Sequence, residues 1–215
     1  MCIRDRVLAC IMKAVDTHAD LLRQSAADVG NDRRLGASEA PPVIISIFLG
    51  EQLEDVVKQL VETGVASSAK KGEKLATGVS TLPDFVKDAT DRNRTSPFAF
   101  TGNKFEFRTV GSSDSIASPN TTINAIVAEA FCEAADRLEK AEDFDMAVHD
   151  LIKEYMTKHQ RILFSGNGYS KEWYEEAMRR GLPNIQSTIE AAPTLTTDKA
   201  VKLFEKFGIF TRVEL

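Results

Sequence analysis

Cysteine is scarce in this chain, and so are the marks of a membrane or nucleic-acid protein. The three cysteines, Cys2, Cys10 and Cys132, are odd in number and form no CxxC pair. That excludes a disulfide framework and a thiolate zinc site, and a reducing, cytoplasmic setting is expected. No apolar run approaches the roughly 20 residues that cross a bilayer; the longest is VIISIFL, residues 43–49. No signal-peptide pattern opens the chain, so no membrane partner is expected. A basic excess is lacking too. The net charge is -5, the pI is near 5.4 and the cations are scattered, so no nucleic-acid partner is expected. Neither GxGxxG nor GxxxxGK occurs; SGNGYS at 165–170 is better read as a turn into a capped helix. There is no internal repeat, and none of the three histidines is required for catalysis.

What is present centres on DRNRTSPFAFTGNKFEFR, residues 91–108. Its last five residues alternate as a half-buried strand does, Phe105 and Phe107 on one face and Lys104, Glu106 and Arg108 on the other. Neighbours on one face of a strand sit roughly 6.5–7 Å apart, so a carboxylate stands between two cations. Such a face can meet phosphate, a metal ion or a charged small substrate. The plainer alternative is a solvated face laced by weak ion pairs. Upstream, Arg92 and Arg94 flank Asn93 in a stretch that Pro97 keeps from being regular helix.

Residues 1–6, MCIRDR, resemble the in-frame translation of a sequencing-library adapter and are set aside. From Val7 a helical stripe of Ile11, Ala14, Val15, His18, Leu21 and Leu22 predicts one helix ended by Gly30 and Asn31. It has no start signal, so a chain cut at both ends is expected. His18 on this stripe reads as a packing residue. Residues 31–42, with Arg34 and Glu39, read as a small loop, a lid or an ordinary turn. Residues 43–62 read as a helix with Gly50 as its weak point, and 63–81 as an exposed excursion.

Ser118 and Pro119 are expected to open a long helix that buries Ile123, Ile126, Val127, Phe131, Ala134 and Leu138, with Cys132 a core residue and Glu129, Glu133 and Arg137 outward. Further helices are predicted over about 144–162, 170–180 and 197–207, His159 suiting the end of the first as a cation. The fold class is α+β: a few antiparallel strands covered by amphipathic helices, with a helical C-terminal half over 117–215.

Three separated motifs, RLGASEAPP at 34–42, RNRTSPFAFTGNKFEFR at 92–108 and FSGNGYSKEWYEEAMRRGL at 164–182, together resemble the C-terminal half of the catalytic domain of type III glutamine synthetase. The resemblance covers residues 7–215. It implies an ATP-dependent ligase that phosphorylates the side chain of glutamate and lets ammonia displace the phosphate, using magnesium or manganese. By the same resemblance Arg34 and Arg108 hold glutamate, and Glu39 closes the site and takes a proton from ammonium. Arg94 neutralises charge on the phosphoryl group and the reacting carboxylate, Lys104 contacts ATP, and Glu106 is a metal ligand.

In the shorter enzymes of the family an arginine stands five residues after the one matched by Arg94; here that position is Ala99. The family's remaining metal ligands lie upstream of Val7, and its sites form between subunits of a homo-oligomer. The chain by itself is therefore expected to be inactive. The alternative is a short non-catalytic relative that assembles with or regulates a full-length glutamine synthetase.

Overall fold

The computed structural model describes residues 3–37, 40–64, 74–75, 85–86 and 95–215, with side chains from residue 5 onward and not for 74–75 or 85–86. Most of the stretch read as an exposed excursion lies outside these residues.

Helix α1 (Ile3–Thr17) is the central rod. Its buried Ala9, Met12, Ala14 and Val15 are small or flexible enough for helices to close on both sides. The single helix expected through to Gly30 is instead three: α1, α2 (Ala19–Gln24) and α3 (Val29–Arg34). The first break is at His18, with φ -118° and ψ 30°, although its N–H still reaches Ala14 O and its carbonyl takes the N–H of Leu22. Gly30 and Asn31 open α3 rather than closing a helix, because Asp28 caps it by accepting from both their N–H groups, at 2.7 and 3.2 Å.

Residues 43–62 are likewise divided. Val43, Ile44, Ile45, Ile47 and Leu49 are buried, and the run is extended, with β1 (Ile47–Phe48) at its end. A continuous, β-branched apolar run is the mark of a strand buried on both faces, and burying each Ile contributes about 1.5–3 kcal/mol. Gly50, at φ 83°, turns the chain into α4 (Glu51–Thr63), a conformation that a branched residue would resist. Strands β2 (Lys74–Leu75) and β3 (Phe85–Val86) pair antiparallel by themselves. Strands β4 (Phe98–Phe100) and β5 (Phe105–Phe107) join β1 in a sheet of order β1-β4-β5. The sheet is mixed rather than purely antiparallel: β1 runs parallel to β4, and β4 antiparallel to β5.

Helices α5 (Ala117–Leu138) and α6 (Phe144–His159) flank α1. Helix α5 starts ahead of the expected Ser118 cap, with Pro119 inside its first turn, where a missing N–H leaves no bond unmade. Its buried face is Thr122, Ala125, Ile126, Ala130 and Ala134, while Phe131 and Cys132 are exposed. Small residues let α5 approach α1, and Glu129, expected outward, meets His18 at 2.7 Å, while Glu133 is exposed as expected and pairs with Lys13. A 3₁₀ turn (Gln160–Ile162), α7 (Lys171–Arg179), α8 (Thr188–Ala191), a second 3₁₀ turn (Ala192–Thr196) and α9 (Asp198–Lys206) complete the chain. Asp143, Ser170, Ser187 and Thr197 each accept a backbone N–H at the helix start they precede, which is why the last helices lie where their sequence signals put them.

His159, at the end of α6, is buried: its Nδ1–H donates to Asp16 Oδ2 at 2.7 Å, and Arg161 Nε donates to Asp16 Oδ1 at 2.8 Å. His18, 2% exposed, lies 2.7 Å from Glu129 through Nε2, while its buried Nδ1 has no partner among the described residues. Burial lowers its pKa from 6.5, against the Glu129 hydrogen bond that raises it. The unfolded chain therefore binds the proton more readily, and stability should fall as pH drops below about 6.5. Denaturant titrations from pH 8 to 5 on the wild type and His18→Gln check this: the slope should be shallower in the variant, and equal slopes would remove His18 as its source.

Among the described residues no helix is long and apolar enough to cross a membrane.

Candidate functional site

The sheet sorts its side chains by register. Phe98 stands opposite Phe107, Ala99 opposite Glu106, and Phe100 opposite Phe105. Cross-strand partners share a face, so the phenylalanines gather on the core side, Phe98 and Phe105 with ring centroids 5.3 Å apart. The other face is left to Ala99, Glu106 and the residues flanking β5. There the expected ladder is present: Lys104 Nζ lies 3.2 Å from Glu106 Oε1, and Arg108 donates from Nε and Nη2 to Oε2, each at 3.1 Å. Hydrogen bonds from Lys104, then Arg108, hold the Glu106 carboxyl below its ordinary range, so it is an anion at neutral pH. Ala99 is fully buried opposite it, and its backbone is shared between β1 and β5. The position is packed for a methyl group.

Arg34, the last residue of α3, is brought to the end of this ladder. Its Nη2 donates to Thr109 O at 2.9 Å and Val110 O at 3.0 Å, the two carbonyls that follow Arg108. Asn31 arranges the contact. Buried, it accepts from Arg34 Nε at 2.9 Å through Oδ1 and donates through Nδ2 to Ala26 O and Thr109 O, both at 2.8 Å. The sequence reading missed Asn31 because its partners are carbonyls far along the chain; its place three residues before Arg34 is the one available signal.

Glu39 and Arg94 lie outside the described residues. Their neighbours Ala40 and Thr95 are described, and both meet the turn at 165–170: Tyr169 Oη donates to Ala40 O at 2.8 Å, and a Cβ on Gly168 would lie 2.8 Å from Thr95 O. Lys104, Glu106 and Arg108 thus share one face of β5, and Arg34 is bonded to the backbone just beyond Arg108. Among the described residues no three His, Cys, Asp or Glu side chains form a metal cluster, and Glu106 is the carboxylate of this group.

A groove of about 770 Å³ runs between α4, residues 160–165 and α7 and includes none of these four residues. Its charges are matched internally. Glu176 pairs with Arg179 and Arg180, whose hydrogen bonds lower its pKa to about 2. Ser165 donates to Glu54, whose carboxyl is pushed up by burial.

The family described as glutamine synthetase C-terminal domain matches residues 147–215. The chain is 46% identical over 211 residues to the type-3 glutamine synthetase of Dictyostelium discoideum, a match covering 97% of this chain and 29% of that protein. It is 42% identical to the glutamine synthetases of Butyrivibrio fibrisolvens and Bacteroides fragilis, again over 97% of the chain and 30% and 29% of theirs. The chain spans about three tenths of the length of these curated relatives. Identity of this order along nearly the whole chain, with a C-terminal match to the family, makes the chain similar over almost all of its length to part of the glutamine synthetases.

Proposed function

We propose that this chain supplies part of the active site of an ATP-dependent ligase that joins ammonia to L-glutamate through a γ-glutamyl phosphate. The observation that carries this reading is the ladder of Lys104, Glu106 and Arg108 along β5 with Arg34 bonded to the carbonyls just beyond it, in a chain similar over 97% of its length to proteins named glutamine synthetase.

Glu106 suits a hard divalent ion: it is a carboxylate kept ionised by its neighbours and 36% exposed. Magnesium or manganese, when bound, would neutralise phosphoryl oxygens, with Glu106 giving one oxygen to its shell. In this reading Lys104 would meet phosphate as a point charge, and Arg108 and Arg34 would grip the carboxylates of glutamate with planar forks. Arg94 would offset charge on the group in transfer, and Glu39 would take the proton that ammonium must lose before its nitrogen can attack the acyl phosphate. In this reading the protein works in the cytoplasm as a homo-oligomer whose neighbouring subunits complete each site.

A chimera tests the proposal, with this chain replacing the matching 211-residue stretch of the Dictyostelium type-3 enzyme. It should form glutamine from glutamate, ammonia, ATP and magnesium; a chimera that melts cooperatively yet makes no glutamine overturns the reading. In it, Glu39→Ala should slow amide formation far more than glutamate-dependent ADP release. Equal loss of both rates would count against a role in ammonium deprotonation.

A further inference from the structure

Arg108 closes the β4–β5 ladder, its N–H donating to Pro97 O at 2.8 Å. One residue on, the chain is held by α3. Thr109 is fully buried, and its carbonyl accepts from two side chains at once, Asn31 Nδ2 at 2.8 Å and Arg34 Nη2 at 2.9 Å. Asn31 Oδ1 in turn accepts from Arg34 Nε at 2.9 Å, so the three residues close a ring of hydrogen bonds. The buried Thr109 hydroxyl has no partner among the described residues, and its carbonyl carries the contact.

The chemistry of that ring selects its side chain. Ala26 O and Thr109 O can only accept, and the Arg34 guanidinium can only donate. The group between them must offer two N–H donors and an acceptor at a position 3% exposed. An aspartate lacks the donors, a serine lacks one and falls a bond short, and a leucine strands all three partners. The orientation of the amide follows for the same reason, oxygen to the arginine and nitrogen to the carbonyls. Helix α3 is itself pinned: Asp28 accepts from the N–H groups of Gly30 and Asn31, and Asp32 accepts from Arg23 and Thr188. The bonds to Arg34 use Nε and Nη2 and leave Nη1 for a ligand.

We propose that Asn31 is a positioning residue for glutamate binding, setting Arg34 relative to the end of β5 and so fixing the spacing of Arg34 and Arg108, the two guanidiniums read above as the grip on the substrate carboxylates. The assignment rests on the ligase reading for its substrate and on the hydrogen-bonded ring for its geometry. Asn31 acts through Arg34 and touches no substrate itself. Its loss should weaken glutamate binding and leave the nucleotide alone, because the ring includes neither Lys104 nor Glu106.

In the chimera, Asn31→Ala should raise the KM for glutamate roughly tenfold, the scale of one hydrogen bond to a charged group, with kcat and the KM for ATP unmoved. A merely structural asparagine would shift both Michaelis constants or neither, and either result overturns the proposal. With Arg34→Lys already in place, Asn31→Ala should add little further to the KM for glutamate; full additivity overturns the action through Arg34. If Asn31→Ala no longer melts cooperatively, Asn31→Ser is measured in its place against the same expectations. In this chain, exchange of the Arg34 Nε proton with solvent, followed by heteronuclear NMR, should quicken roughly tenfold in the variant, while the Arg23 Nε proton, bonded to Ile185 O, keeps its rate. An unchanged Arg34 proton overturns the proposal. If the unmutated chimera makes no glutamine while that proton is released, Asn31 still positions Arg34 and the ligase reading falls.

Discussion

Replacing Glu106 by alanine in the chimera is expected to raise the magnesium concentration needed for half-maximal glutamine formation by roughly 100-fold or more and to depress turnover at saturation. Losing a group that only supports a metal ligand costs roughly 10- to 100-fold, and Glu106 is proposed as a ligand itself. A second effect reinforces the first. With the carboxylate gone, Lys104 and Arg108, which now bracket it at 3.2 and 3.1 Å, repel a cation that approaches the strand. A magnesium titration of glutamine formation decides the matter. An unchanged midpoint would take Glu106 out of the metal shell and leave it the centre of an ordinary surface ion-pair ladder, which is worth little.

The second large effect is expected on stability. Arg23 is 1% exposed; its Nε donates to Ile185 O at 3.1 Å and its Nη2 to Asp32 Oδ1 at 2.7 Å, and its Nη1 is buried with no partner among the described residues. Asp32 also receives the N–H and hydroxyl of Thr188, at 2.6 and 2.7 Å. Burial opposes its ionisation, but the bonds from Thr188 and Arg23 outweigh that and lower its pKa.

Asp32→Ala leaves a buried guanidinium uncompensated and should cost about 3–5 kcal/mol in chemical denaturation. Arg23→Met added to it should restore part of the loss, since the penalty belongs to the stranded charge. A single-variant loss under about 1 kcal/mol, or a double variant worse than the single, would show that this pair is not what joins α2 and α3 to the C-terminal helices.

How far the sequence could be read follows from what each feature depends on. The ladder on β5 depends on alternation, a local property, and Phe105 to Arg108 express it without interruption. Helices α7 and α9 were legible because Ser170 and Thr197 cap them through bonds to residues three positions on. Residues 43–49 were misread because a short apolar run has no period, and only the neighbours of Ile47 in the sheet distinguish strand from helix. The break at His18 is set by Glu129 across the core rather than by a breaker residue. Asn31 and Tyr169 were overlooked for one shared reason: each acts on a backbone carbonyl of a remote residue, Thr109 for the first and Ala40 for the second, and a carbonyl has no identity in a sequence.

The buried contact between Asp16 and His159 bears on what counts as a unit in this protein. The stretch recognised as a C-terminal domain begins at residue 147, inside the first turns of α6. Its Val148, Leu151, Ile152 and Met156 belong to the same core as Met12 and Val15, and His159 and Arg161 each donate a hydrogen bond to Asp16. Cut there, the piece would lose the cap at Asp143 that starts its first helix, the apolar surface that helix lies on and the carboxylate to which His159 and Arg161 both donate. The recognisable block therefore shares one core with the residues before it, and the boundary drawn by sequence similarity runs through a packed structure.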